Sequence, residues 1–238
     1  MGIKLLLQKF WKKYLDLKYN FLVKRYPDNL KAELDGKLKG PYKGVLSEEI
    51  IAYIPELEKG ELAEDIVQQL YERARNLAIK GEFDYLIDTS GFSKLQSVEI
   101  CRCYGYHSQK RWKLQLFYMP KGTEHEPHAH HNLDSFLVVL KGKIWIREFR
   151  RETPAASGKI RISKATDRVA VAYDGMITTE FGNNIHHFGA EEDTVCLNFN
   201  LRGYNKKTFL EDHKGYGRRY LSYEKELKDG VEIIYKYK

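Results

Sequence analysis

Residues 122–142 read GTEHEPHAHHNLDSFLVVLKG, and the rest of the chain is organised around them. Four of the eight histidines lie in this stretch: His125, His128, His130 and His131. His128 and His130 are two apart. Side chains on a β-strand alternate between faces, so this spacing points both imidazoles to one side. Two neutral imidazoles converging from one strand are a ready pair of ligands for a borderline divalent metal. His186 and His187 follow about fifty-five residues later in another strand-like run, where alternation lets only one of them reach the same side. Pro127 is read as the start of the strand carrying the pair, a place where no ladder donor is needed.

Around this stretch the pattern is that of short strands. From about Phe92, runs of Val, Ile, Tyr, Phe and Trp alternate with glycines, predicting strands at 96–104, 112–119, 127–131, 135–141, 143–150, 159–164, 168–173, 176–181, 184–188 and 194–201. Lys141-Gly142-Lys143 and Asp174-Gly175 read as tight turns. Such a density of strands argues for a closed or nearly closed antiparallel barrel or sandwich. The tail after Tyr204 is rich in Lys, Tyr and Gly; a strand at 231–237 is legible there but cannot be placed.

The first ninety residues are different. Residues 3–26 predict a helix, with Leu6, Phe10, Tyr14 and Leu17 on one face, lysines between them, Trp11 alongside and Pro27 as its end. Residues 27–46 read as loop, and Ser47 as the N-cap of a short helix before Pro55. The best-defined helix is 61–80, with a stripe of Leu62, Ile66, Leu70, Ala74 and Ala78 and a stop at Gly81. The expected organisation is a helical N-terminal region, 1–91, packed on a β-barrel, 92–204, with a C-terminal extension, 205–238.

Composition bounds the function classes. The chain has 238 residues, 42% hydrophobic and 31% charged, enough for one good core. Cys101, Cys103 and Cys196 are too few for a disulfide framework, so a reducing cytoplasm is the expected compartment. No run approaches eighteen apolar residues, so no membrane span is expected. The net charge of +7 is spread along the chain rather than gathered in a block. It reads as a solvated basic surface rather than a nucleic-acid site, and suits a small anionic substrate. The basic amphipathic helix at 3–26 is read as packing on the protein itself or on a second subunit, which makes a homodimer plausible.

The spacing of the central stretch is more specific than its histidines. Gly122, His128, His130, Ser135 and Gly142 stand at the positions of the first cupin motif, with Ser135 where most cupins carry a ligand glutamate. Gly175 stands eleven residues before His186, as the second motif asks, while Phe181, Asn183 and Ala190 replace its usual proline, glycine and asparagine. The stretch from Leu95 to Tyr204 therefore resembles a cupin. The resemblance implies a mainly β fold, an antiparallel double-stranded β-helix (jelly-roll) barrel with an N-terminal α-helical region, and a metal held by His128, His130 and His186. It favours His186 over His187 because Phe188 follows His186 after one intervening residue, as an aromatic follows the third ligand in cupins. Asp134 is an alternative carboxylate if the turn shifts by one residue; His125 and His131 are read as rim residues, as supports behind the ligands or as solvated, the last being preferred.

A cupin with three histidines and no glutamate resembles the thiol dioxygenases, the cysteine dioxygenase family. That likeness implies iron(II), O₂ and a small anionic substrate, with zinc, manganese, nickel or copper as other metals that three imidazoles accept. It implies that Arg102 neutralises a substrate carboxylate. Cys196, Asn198 and Asn200 stand where that family places an alternating Ser, His and Tyr. If Asn198 and Asn200 face the cavity they orient the substrate by hydrogen bonds, since an amide does not titrate. Two other classes stay open: an O₂-independent metal-dependent isomerase or lyase, and a non-catalytic binding cupin.

Overall fold

The computed structural model describes residues 63–84, 87, 94–104, 111–151, 159–180, 184–202, 217–227 and 230–236. The expected helices at 3–26 and after Ser47, and the loop between them, lie outside these residues. The helix expected at 61–80 is α1, Ala63–Ile79. Eleven strands follow: β1 Gln96–Tyr104, β2 Arg111–Met119, β3 Glu124–His131, β4 Leu133–Lys141, β5 Lys143–Arg151, β6 Lys159–Val171, β7 Gly175–Thr178, β8 Ile185–Ala190, β9 Thr194–Arg202, β10 Gly217–Leu227 and β11 Gly230–Lys236. They form two antiparallel sheets. One has the order β1-β2-β9-β4-β7; the other, β10-β11-β6-β5-β8-β3, closes on itself through pairing of β3 with β10. The fold is mainly β, a jelly-roll barrel with an N-terminal helix against it.

The helix and the first sheet form one core. Ile66, Val67, Leu70, Ala74, Leu77 and Ala78 of α1 pack with Phe136, Val138 and Leu140 of β4 and with Val195, Leu197, Phe199 and Leu201 of β9. Tyr71 meets the edge of Phe136 at 5.9 Å, and Arg75 Nε donates to Tyr173 O at 2.9 Å. The other face of the same strands looks into the barrel, where Leu137, Val139 and Cys196 join Ile144, Ile146 and Phe188. This is why 136–140 reads as an unbroken apolar run: β4 is covered on both sides. Burying a side chain such as Phe136, 1% exposed, is worth roughly 1.5–3 kcal/mol against leaving it in water.

Several local expectations are revised. Runs 159–164 and 168–173 are one strand, β6, because its ladder with β5 continues through Thr166, Asp167 and Arg168 opposite Glu148, Arg147 and Ile146. Pro127 does not begin β3. It lies where the register with β8 shifts between His125 and His128, a bulge that needs no donor from it. The turn expected at Asp174-Gly175 is made one residue earlier: Tyr173 takes the positive φ of 70° and Asp174 N donates to Val171 O. Gly175 opens β7 instead, so close under β4 that a Cβ would collide with the Leu137 carbonyl oxygen. The unplaced C-terminal strand is β11, and with β10 it forms a hairpin that pairs with β6 and β3.

The two glycines make different predictions. Gly122 has φ of 79°, and a Cβ added there would meet nothing within 4 Å, so Gly122→Ala costs only backbone strain, about 1 kcal/mol. Gly175→Ala must push β7 off β4 and costs about 3 kcal/mol. Denaturant melts of both variants check this; equal losses would contradict the close approach.

Candidate metal centre

β3 delivers His128 and His130 to one face by strand alternation. β8 runs antiparallel beside it with His186 directly opposite His128. The ring centroids are 4.3 Å apart for His128 and His186, 4.9 Å for His130 and His186, and 5.3 Å for His128 and His130. His128 Nε2 and His186 Nε2 are 2.9 Å apart. The candidate donor atoms of all three rings lie within 4.8 Å of one another, and all three residues are buried.

The outward nitrogens are already engaged. His128 Nδ1 donates to Glu126 O at 2.8 Å, which leaves Nε2 with its lone pair facing inward. His186 Nδ1 is 2.8 Å from Thr178 Oγ1, and His130 Nδ1 is 3.4 Å from Ser135 Oγ. His130 Nε2 is buried and has no hydrogen-bond partner among the described residues. Burial pushes all three imidazoles well below their usual range, with His186 and Arg218 among the charges that reinforce this in His128 and His130. They are neutral at pH 7. Metal–nitrogen bonds of about 2.1 Å bring ligand nitrogens to roughly 3 Å of one another. The donor set therefore fits a divalent cation in chemistry and in spacing.

The other histidines take different places. His187 turns to the outside of the barrel, 3.1 Å from Glu124 Oε2 and edge-on to Trp145 at 4.7 Å. His131 is buried, contrary to the preferred expectation, and His125 is half-buried at the cavity rim. The bulge at Pro127 folds His125 against Phe188 in a stack at 5.1 Å, and burial lowers its pKa to about 4. His131 is fully buried beside Glu180, Nδ1 to Oε1 3.5 Å, and Glu180 Oε2 accepts from Asn132 N at 2.9 Å.

Ser135 lines the cavity in front of the histidines and supports His130 rather than offering a carboxylate. Asp134 is turned away: its Oδ1 accepts from Glu180 N at 3.0 Å, and it is not in the three-residue group. Asn198 lines the cavity, and Asn200 is buried behind it with Nδ2 donating to Asn198 Oδ1 at 2.5 Å. Arg102 lies on β1 opposite Lys113, and Lys113 is a cavity residue. Cys196 sits among apolar residues, where burial raises its thiol pKa and leaves it inert.

Sequence reasoning missed Arg218. It stands on β10 opposite His130 and lines the same cavity of about 200 Å³. Its only sequence signal is the alternation of Arg218 and Tyr220, which says nothing of which strand they lie beside. The cavity lining holds two cations, Lys113 and Arg218, and no carboxylate among the described residues.

Two strands bring three imidazoles together inside an antiparallel jelly-roll barrel, a double-stranded β-helix. No family model matches the chain, and no curated protein does. Solved structures similar to it include a cupin superfamily protein from Desulfitobacterium hafniense, 14% identical over 47% of this chain and 83% of that one, TM-score 0.32. KdgF from Halomonas sp. is 15% identical over 46% and 80%, TM-score 0.32. A Klebsiella pneumoniae protein with a double-stranded β-helix domain is 11% identical over 52% and 88%, TM-score 0.35. These likenesses concern the barrel, and the reading of the site rests on this chain's own residues. No helix among the described residues is long and apolar enough to cross a membrane.

The centre's geometry makes two predictions. Protein purified without added metal or chelator is expected to carry about one divalent ion per chain. A His128→Ala, His130→Ala double variant and His186→Ala should each lose it, while His187→Ala keeps it; elemental analysis reads the outcome. The metal-free protein should also lose stability as pH falls. Its buried imidazoles have folded pKa values below the unfolded value of about 6.5, so between about pH 6.5 and 4 the unfolded chain binds more protons than the folded one. Stability is full above that window and declines through it. A thermal midpoint that stays flat from pH 7 to 4.5 would contradict the neutral cluster.

Proposed function

We propose that this chain is a non-haem iron(II)-dependent cupin oxygenase that uses O₂ to oxidise a small anionic molecule, a thiol or an amino-acid-derived compound. The observation that supports this reading is the donor set: three neutral imidazoles and no carboxylate, among the described residues, at a cavity lined by Lys113 and Arg218. Neutral ligands leave the double positive charge of a divalent ion uncompensated, which favours an anionic ligand group beside it. Bound iron(II) supplies the binding and activation of O₂ and a coordination site for the substrate anion.

The chain's own part is positioning. Glu126 O, Thr178 and Ser135 hold the outward nitrogens of the three rings, so the inward ones converge before any ligand arrives. His125, Phe117 and Phe188 wall the cavity with stacked and edge-on rings, keeping bulk water off that side. Asn198 orients the substrate through hydrogen bonds, and Asn200 behind it fixes the Asn198 amide. Arg102 is the residue that the thiol dioxygenase resemblance assigns to a substrate carboxylate. For a thiolate the overall change would be RS⁻ + O₂ → RSO₂⁻, with both oxygen atoms entering the product and no external reductant.

Iron-loaded protein in an oxygen electrode, with cysteine, 3-mercaptopropionate and 2-mercaptoethanol in turn, tests the reading. Thiol-dependent O₂ uptake with a matching yield of sulfinate is expected, abolished by His186→Ala. If no thiol or amino acid drives uptake, while zinc- or manganese-loaded protein isomerises or cleaves a small acid anaerobically, the Lewis-acid reading replaces it.

A further inference from the structure

We propose that Arg218, with the amide pair it anchors, is the carboxylate-binding element of this cavity, so that the ligand is a carboxylic acid of amino-acid size lying between β10 and the three histidines. This deepens the oxygenase reading for the anionic class of substrate but moves the carboxylate from Arg102 to a strand near the C-terminus.

Arg218 is paired with His130 across β10 and β3, and directly paired residues of an antiparallel ladder share a face. Its guanidinium acts on His125, His128, His130 and His186, holding each further toward the neutral form, so it stands close to the centre. It is poorly satisfied there. Its Nε is buried with no hydrogen-bond partner among the described residues, and Nη2 makes a long bond of 3.3 Å to Asn200 Oδ1. Among the described residues no carboxylate acts to keep it charged. A guanidinium taken from water without its anion is unfavourable unless something completes it.

The same residue sets the polarity of its neighbours. Arginine only donates. Asn200 must therefore turn Oδ1 to Arg218, and its Nδ2 then donates to Asn198 Oδ1. That leaves the NH₂ group of Asn198 as the donor available to the cavity. Lys113, paired with Asn200 across β2 and β9, adds a second cation to the same lining. Every polar group named here offers a proton, and the planar fork of a guanidinium matches the two oxygens of a carboxylate. A cavity of about 200 Å³ admits such a group with a few further atoms.

Metal-free, full-length protein titrated with propionate and, separately, with its neutral isostere propionamide tests the site without any turnover. Propionate is expected to raise the thermal midpoint and propionamide to leave it unchanged. Arg218→Gln should weaken propionate binding about tenfold or more without lowering the unliganded midpoint, since it removes a part-buried cation that has no carboxylate partner among the described residues. Arg218→Lys keeps the charge without the fork and should fall between the two. The proposal is overturned if Arg218→Gln binds propionate normally or Arg102→Gln is the variant that loses it. It is also overturned if inorganic phosphate binds through Arg218 more tightly than carboxylates, or if neither Arg218 variant folds, which would make the residue structural. Protein that takes up no metal yet binds propionate through Arg218 would sink the oxygenase reading and leave this one standing; the reverse result would separate them the other way.

Discussion

The register between β3 and β8 is the constraint on which the site depends. His128 and His186 meet because their backbones are directly opposed. A slip of one residue would turn His186 to the outer surface, put His187 on the inner one and move Phe188 and every other inner residue of β8 out of the core. The register is held from both ends, and at the ligand end His130 N donates to Asn184 O at 3.0 Å while Asn184 Nδ2 donates to His130 O at 2.6 Å. Gly122 N donates to Ala190 O at 2.8 Å and Ala190 N to Thr123 O at 2.9 Å. Gly189 lies so close to Trp145 that a Cβ there would stand 2.7 Å from the indole. Phe188 meanwhile anchors the inner face. The bulge at His125–His128 absorbs the one irregularity before the ligands begin.

Stability and chemistry are divided across the thickness of single strands. In β4 and β9 the residues facing α1 are apolar, Phe136, Val138, Leu197 and Phe199. Their alternating neighbours Ser135, Asn198 and Asn200 are buried polar groups facing inward. The helix thus lets the wall of the cavity carry polar side chains, because the hydrophobic burial that holds the strands lies on their other face. Among the described residues, the side-chain nitrogens beside the cavity without a hydrogen-bond partner are Nε2 of His130 and Nε of Arg218.

Much of the barrel was legible in the chain because strand signals are local. Alternating runs and turn residues mark elements wherever they occur, and the expected strands lie within a few residues of β1–β9. The departures have physical causes: β6 reads as two runs because Thr166 and Asp167 interrupt its apolar pattern, yet the ladder to β5 runs on. The histidine spacing placed His128 and His130 on one face, and the cavity-facing parity of Asn198 follows from the same alternation. Asp134, His125 and His131 were misjudged or left open because their fate depends on partners far along the chain or on an irregular backbone: Glu180, Phe188 and the bulge at Pro127.

By itself the sequence determined the kinds of element, the period-two pairing of His128 with His130, and the resemblance that singles out His186. Only the tertiary structure decided that the C-terminal hairpin closes the barrel and that Arg218 stands beside His130. The reason is that alternation specifies which face a side chain takes, whereas its neighbours depend on which strands pair and in what register. In a closed barrel that pairing joins residues 88 positions apart, and no local spacing encodes it.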